Sequence, residues 1–477
     1  MTLRTFLEDL VLFYNHFSLY YLLVINAVNT VLFVLAVRGI RQYRKKRKNW
    51  PYQKMISSIH VPPVSILVPC YNEEKTIVDN VESLLSIEYS EFEILVVNDG
   101  SQDHSLKKLI LAFDLKKLDS PYKKEIPTAK VRGIYQSASR PRLKVVDKEN
   151  GGKADALNAG INICRYPLFT AIDADSILEK SSLMKVIRPF IDEPDKVAVT
   201  GGIVRVVNGS KIHEGFIEEV GLSRKPLAIF QTIEYLRAFL FGRMGWSELD
   251  SLLIVSGAFG VFRKSIVLQV GGYTHDTIGE DMELILKIHR HLLEEKKDYR
   301  IVFVPDPVCW TQAPEDVRSL RGQRIRWHRG LMDSLLNNRG MLFRPKYGVV
   351  GMLALPYYWL IEMIGPIIEI LGYVSVLASY FLGLLHVEFA LIYFTFAVLY
   401  GIFLSLTSVM LEEYNFMKYE KVSDYLLMAL YAVLENFGYR QWTTWWRFRA
   451  FFGYRRRKNS WGKVQRQVFT EGAAESP

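Results

Sequence analysis

Asp173 and Asp175 flank Ala174 in Ile172-Asp173-Ala174-Asp175, and on an extended chain the two-residue repeat turns both carboxylates to one side. Paired hard oxygens near a phosphate suit a divalent cation, Mg²⁺ or Mn²⁺. A second acidic station, Gly279-Glu280-Asp281, opens a stretch of helical composition, where a carboxylate serves as N-cap or as general base. Asn150-Gly151-Gly152-Lys153 offers flexible backbone, a helix N-terminus and a cation to anionic oxygens. It lacks the glycine and Lys-Ser/Thr spacing of ATPase phosphate loops, and no G-x-G-x-x-G follows a strand. Nucleotide hydrolysis and nicotinamide chemistry are therefore disfavoured. Gln323-Arg324-Ile325-Arg326-Trp327 adds two cations and an aromatic ring, and Pro69-Cys70-Tyr71-Asn72-Glu73-Glu74 and Asn98-Asp99-Gly100-Ser101 are polar runs that follow apolar ones.

The elements that must position these residues alternate. Val64–Val68, Ile94–Val97, Leu143–Val146, Leu168–Ile172, Val197–Thr200 and Ile301–Val304 read as strands, and Glu73–Leu85, Ala154–Ile163 and Asp281–Leu293 as helices. Alternation of this kind predicts an α/β fold with a mainly parallel sheet. Ligands of such sheets bind at the carboxyl ends of strands, so the polar runs after the first two strands and the Asp173–Asp175 pair belong to one crevice. Leu115–Arg142, with Pro121, Lys123, Lys124 and Pro127, reads as a polar excursion. Val317, Leu320, Ile325, Leu331 and Leu335 make 315–338 an amphipathic helix.

Outside this region the chain is apolar. Leu10–Val37 contains no charged residue, and Phe17–Val37 alone is long enough for a hydrocarbon core of about 30 Å. Arg41, Arg44, Lys45, Lys46, Arg47 and Lys48 follow it and mark the cytoplasmic side. Gly348–Leu385, broken by Pro356 and Pro366, and Phe389–Leu411 read as two further spans. The domains are then an anchor with its basic segment at 1–50, a cytosolic domain at 51–344, two spans at 345–411, a short membrane hairpin or interfacial helix at 412–454, and a cytosolic tail at 455–477. Much of the net charge of +10 flanks the spans and suits anionic lipid headgroups rather than nucleic acid. Cys70, Cys164 and Cys309 are too few for a disulfide framework.

In this order the motifs of Val64–Trp327 resemble the family 2 glycosyltransferases with the GT-A fold, and among them the processive membrane synthases of cellulose, chitin, hyaluronan and poly-N-acetylglucosamine. Gln231-Thr232-Ile233-Glu234-Tyr235 and Ser256-Gly257 are most similar to the poly-β-1,6-N-acetylglucosamine branch. The resemblance implies a UDP-sugar donor, a growing polysaccharide acceptor and a Mg²⁺ or Mn²⁺ cofactor. It implies that Pro69, Tyr71, Glu73 and Asp99 receive the nucleoside, Lys153 the diphosphate, and Asp173 and Asp175 nucleotide and metal. Asp281, with Glu280 beside it, becomes the catalytic base; Gln323 and Arg326 neutralise the leaving group; Trp327, Ser256 and Gly257 face the acceptor. One departure is Gly279, where the pattern has Thr, which predicts a looser loop.

Ser460-Trp461-Gly462 with Arg466 is similar to the gating segment of chitin and hyaluronan synthases; a juxtamembrane aromatic anchor is the alternative. Glu362 and Glu369 lie two helical turns apart in an apolar run, and intramembrane carboxylates usually face protein or a water-filled path. A polysaccharide channel accounts for both; an interfacial Glu362 and a Glu369 against a polar neighbour is the plainer account. The expectation is a multi-pass enzyme of the cell membrane with a cytoplasmic catalytic domain, lipid contacts and accessory synthase subunits. A non-processive transferase charging a lipid carrier and an inactive scaffold of a synthase complex are the alternatives.

Overall fold

The computed structural model describes residues 3–454 apart from 49, 53, 54, 56–60, 120 and 214. Its strands are β1 (Val64–Cys70), β2 (Phe92–Asp99), β3 (Leu115–Leu118), β4 (Val131–Ser137), β5 (Leu143–Lys148), β6 (Leu168–Ala171), β7 (Ile177–Leu178), β8 (Val197–Val206), β9 (Lys211–His213), β10 (Phe216–Glu219), β11 (Gly260–Arg263) and β12 (Arg300–Thr311). All six strands expected from the apolar runs are present, most of them longer. Every residue of β2 and β8 is buried, the pattern of strands covered on both faces. Helices Ile77–Leu85, Lys153–Ile163, Ser182–Asp192 and Glu280–Glu294 supply the covering apolar faces.

Ten strands form one sheet in the order β3-β4-β5-β2-β1-β6-β11-β8-β12-β7. β1 runs parallel to β2 and β6, β2 to β5, and β8 to β12. β11 lies antiparallel between β6 and β8, and β3–β4, β4–β5 and β7–β12 are antiparallel pairs. The sheet is therefore mixed, a correction to the mainly parallel expectation. Gly260-Val261-Phe262-Arg263 is too short and too close to a glycine turn to announce itself. It enters the sheet centre because Gly260 lets the backbone approach Val255, whose Cγ1 would lie 2.7 Å from an added Cβ. The polar excursion also contributes strands: β3 and β4 form an edge whose exposed Lys116 and Lys117 fit that position.

The helix expected from Glu73 starts at Ile77, because Asn72 takes a left-handed φ of 57° and the chain turns before it can coil. Val317–Asn337 begins on an Asp316 cap whose carboxylate accepts from the Ser319 N–H at 2.9 Å. Pro226–Leu236 continues into a π-helical segment, Arg237–Arg243, and then Met244–Glu248.

Among the described residues two helices are long and apolar enough to cross a membrane: Leu3–Lys48, of 46 residues, and Ala390–Asn415 within Val387–Asn415. A third apolar stretch bends by 44° between Val350–Met363 and Gly365–Phe381. Pro366, which lacks an N–H, sits at the start of the second half. Polar side chains on these helices satisfy each other, as apolar surroundings demand: Asn15 Nδ2 donates to Ser379 Oγ at 3.0 Å, and Ser375 Oγ to Asn15 Oδ1 at 2.8 Å. Val422–Leu434 and Tyr439–Ala450, of 13 and 12 residues, are each too short for that crossing. The basic run at the end of the first helix is not all free for lipid, as its charge alone suggested. Arg47 Nε lies 3.3 Å from the buried Asp306 Oδ2, while Arg41, Lys45 and Lys48 are exposed. The three cysteines are free and buried.

Candidate active site

The rim of the crevice is built by the chain ends of β1 and β2. Pro69 is in register with Val97, and beyond it the two loops are tied together. Asn72 N–H donates to Ser101 Oγ at 3.0 Å, Gln102 N–H to Asn72 Oδ1 at 2.8 Å, and Glu73 N–H to Ser105 Oγ at 2.8 Å. Tyr71 is 45% exposed above this rim, and Glu73 is buried with Thr76 Oγ1 donating to it at 3.3 Å.

Asp99 closes β2 and organises the glycine loop. Its carboxylate accepts from Gly151 N–H at 3.0 Å, Gly152 N–H at 2.7 Å and Asn150 Nδ2 at 3.1 Å. Lys148 Nζ, fully buried, lies 2.5 Å from both Asp99 Oδ1 and Asp155 Oδ1. Two N–H groups and an ammonium on one carboxylate make a preorganised hinge for the loop. Lys148 was not foreseen, because only the sheet register, which pairs it with Asp99, brings it there.

The two acidic stations meet at Lys153. Its Nζ is 2.5 Å from Asp173 Oδ1 and 3.6 Å from Glu280 Oε1. Burial alone would lower this ammonium; Asp173, Glu280 and Asp281 outweigh it and hold it above the usual range. Burial and then Asp173 push Asp175 up to about 6, against Lys153 and Arg326. Burial likewise raises Glu280 to about 7, with Lys153 opposing and Asp281 adding. Asp281 Oδ2 accepts from Gly257 N–H at 3.3 Å, and its Oδ1 from Met282 N–H at 2.8 Å. An added Cβ on Gly257 would meet Asp281 Oδ2 and Lys153 Nζ at 3.6 Å each, so the Ser256-Gly257 turn runs along the floor between the two stations.

The Val317–Asn337 helix brings the cations. Burial pulls the Arg326 guanidinium below its usual range, and the charges of Glu280, Asp173 and Asp175 oppose that shift. Gln323 Oε1 is buried without a hydrogen-bond partner among the described residues. Trp327 is 44% exposed, flanked by Arg324, 4.6 Å from its ring centre, and by Tyr235 at 6.2 Å. Arg324 itself is structural: it donates to Glu234 at 2.8 Å, which Tyr439 also engages at 2.9 Å. The helix packs backbone to backbone on the acidic loop. An added Cβ at Gly279 would stand 2.6 Å from Gly330 O, and φ at Gly279 is −107°. That glycine serves close approach, not looseness, which corrects the expectation from the missing Thr. Arg243, on the π-helical segment, is another group that sequence patterns did not flag. Burial lowers it to about 10, while Tyr358, Asp281 and Tyr235 oppose the shift.

Glu362 and Glu369 are not in this crevice cluster. Both meet the Tyr439–Ala450 helix: Glu362 Oε2 lies 3.0 Å from Arg447 Nη2, and Glu369 accepts from Thr444 Oγ1 at 3.0 Å and Tyr373 Oη at 2.5 Å. Trp461 and Arg466 lie outside the described residues. Among the described residues no group of three or more His, Cys, Asp or Glu could hold a metal by itself. Asp173 and Asp175 are an incomplete set whose chemistry suits a cation that shares phosphate oxygens with a bound nucleotide.

A mixed sheet with β11 reversed at its centre, its strand ends rimmed by carboxylates around a lysine, defines a glycosyltransferase domain of the GT-A kind. Residues 62–330 match the family described as "Glycosyltransferase like family 2", and the chain belongs to that family. It is 32% identical over 296 residues to the poly-beta-1,6-N-acetyl-D-glucosamine synthase of Staphylococcus epidermidis, an alignment covering 61% of this chain and 61% of that protein. The synthase of the same name from Staphylococcus aureus (strain COL) is 32% identical over 278 residues, covering 58% and 56%. The alignments thus span less than two thirds of these relatives. Among solved structures, the mannosyltransferase PcManGT from Pyrobaculum calidifontis, in complex with GDP-Man and Mn²⁺, superposes with a TM-score of 0.47 at 16% identity, covering 91% of this chain and 99% of that one.

Proposed function

We propose that the protein is a processive, inverting β-glycosyltransferase of the cell membrane that extends a polysaccharide from a cytosolic UDP-sugar and moves the product across the bilayer. The favoured donor is UDP-N-acetylglucosamine, with UDP-glucose second; the relatives named for poly-β-1,6-N-acetyl-D-glucosamine support the order. The observation that carries the reading is Lys153, 2.5 Å from Asp173 and 3.6 Å from Glu280, which joins a diphosphate-binding station to a base station in one crevice.

In this mechanism Tyr71, Glu73 and Asp99 with its glycine loop receive the nucleoside. Asp173 and Asp175 would hold Mg²⁺ or Mn²⁺ with the nucleotide, and the cation would offset charge on the diphosphate. Asp281, oriented by the Gly257 N–H, takes the proton of the acceptor hydroxyl. The hydroxyl oxygen bonds to the anomeric carbon as the carbon–oxygen bond to UDP breaks, turning an α-linked donor into a β-linked product. Lys153 and Arg326 meet the negative charge that develops on UDP, with Gln323 beside them. Trp327 stacks on the acceptor sugar, and Ser256-Gly257 lines its approach. Glu362 and Glu369 flank the exit path, lipids surround the spans, and accessory subunits complete export.

The test is purified protein in nanodiscs given a panel of UDP-sugars with Mg²⁺ or Mn²⁺, reading released UDP and product length. Expected are release and long product from UDP-N-acetylglucosamine, and loss of both in Asp281→Asn. Full activity of Asp281→Asn, or single-sugar products only, overturns the reading.

A further inference from the structure

The Val317–Asn337 helix also grips the acidic loop from behind, away from the reacting groups. Asp333, 2% exposed, accepts from the Ile278 N–H through Oδ2 at 3.3 Å, and its Oδ1 accepts from the Tyr454 hydroxyl. Ser334 Oγ donates to Gly279 O at 3.1 Å, and Asn338 Nδ2 to Glu283 Oε2 at 3.0 Å. Glu280 and Asp281 are thus bracketed, with Ile278 and Gly279 held on one side and Glu283 on the other. Among the described residues no cation pairs with Asp333, so its buried carboxylate depends on those two donors.

Tyr454 is itself delivered by fixed backbone. Arg329, on the same helix, donates through Nε to Ala450 O at 3.2 Å and through Nη2 to Phe452 O at 3.1 Å. Burial and the Asp333 carboxylate raise the Tyr454 phenol, which keeps it a donor. Among the described residues, the chain segment that leaves the Tyr439–Ala450 helix is therefore linked to the loop of the acidic pair by the Tyr454 hydroxyl, through Asp333.

We propose that Asp333 is a positioning residue for the Glu280–Asp281 loop and that Tyr454 acts through it, so that the seating of residues 451–454 sets the geometry of the acidic pair. This rests on Asp281 being the base.

The experiment measures initial UDP release against donor concentration for the full chain in nanodiscs, with thermal melts to establish folding. A reacting group misplaced by about 1 Å loses up to about 100-fold, so Tyr454→Phe and Asp333→Ala are each expected to lower kcat by about 10-fold or more, with donor KM within about twofold. Asp333→Asn, which keeps an acceptor for the Ile278 N–H, recovers part of the loss. Adding Tyr454→Phe to Asp333→Ala costs nothing further, the signature of one residue acting through the other. Additive losses, or a Tyr454→Phe kcat within about twofold of the parent protein, overturn the proposal. Asp281→Asn is measured alongside. If it stays active, the assignment of the base falls; if it is inactive while Tyr454→Phe is unaffected, only the positioning role falls.

Discussion

Glu280 shows what the crevice costs the fold. Burial raises its carboxyl from an ordinary value of 4.5 to about 7. A folded value above the unfolded one means that stability is fullest where the group is protonated and declines as pH rises from about 4.5 to about 7. Glu280→Gln removes the term, so the variant should exceed the parent protein by about 1–3 kcal/mol at pH 8, a gap that closes near pH 5. Thermal melts at both values check it; equal midpoints at pH 8 would contradict it. Residue types and spacing pointed to Glu280, Asp281, Lys153 and the Asp173–Asp175 pair, because carboxylates at strand ends and helix starts stand out in sequence. Lys148 and Arg243 did not, since neither spacing nor periodicity brings a lysine to Asp99 or an arginine toward Asp281.

At the scale of elements, one helix supplies Gln323, Arg326 and Trp327 and, two turns on, clamps the loop of the acidic pair. The clamp works because two backbones touch at Gly279 and Gly330. Gly279→Thr would place a Cβ 2.6 Å from a carbonyl oxygen that cannot yield without moving the helix. The expected outcome is a loss of about 1–3 kcal/mol and a fall in kcat that exceeds any rise in donor KM. Melts and UDP release measure it, and a variant with parental stability and turnover would show that the contact gives way easily. The helices named from periodicity, and six of the twelve strands among the described residues, were legible to within a few residues, whereas β3, β4, β7, β9 and β10 carry too little apolar pattern to show. β11 was not legible either, since four residues after a glycine turn carry no period, and its reversal makes the sheet mixed.

Across the whole molecule, the glycosyltransferase-family domain and the apolar helices are locked by buried charge. Arg205 on β8 lies 2.5 Å from Glu412 near the end of Val387–Asn415, at exposures of 2% and 0%. Breaking such a pair strands one charge, so Glu412→Ala should cost about 3–5 kcal/mol, while an Arg205→Met/Glu412→Leu double variant regains most of it. Melts in nanodiscs distinguish these outcomes, and a harmless Glu412→Ala would mean that water reaches Arg205. The proposed export is tested at the same scale. With Glu362 and Glu369 both held to the Tyr439–Ala450 helix, changing both to Gln should leave single-sugar transfer intact and impair release of long product. Equal loss of both activities would remove them from the exit path.

Local patterning decides a good deal of this chain unaided. Charge-free runs of span length, basic flanks, apolar strands and acidic turns follow from residue order, because hydrophobicity and backbone propensity act over a few neighbours. Contacts between distant segments were settled by folding alone: Lys148 on Asp99, Gly257 against Asp281, Gly330 against Gly279, Tyr454 on Asp333 and Arg205 on Glu412. Each joins residues that share no local period, and each depends on sheet register or helix packing, which arise only once the apolar faces have found one another.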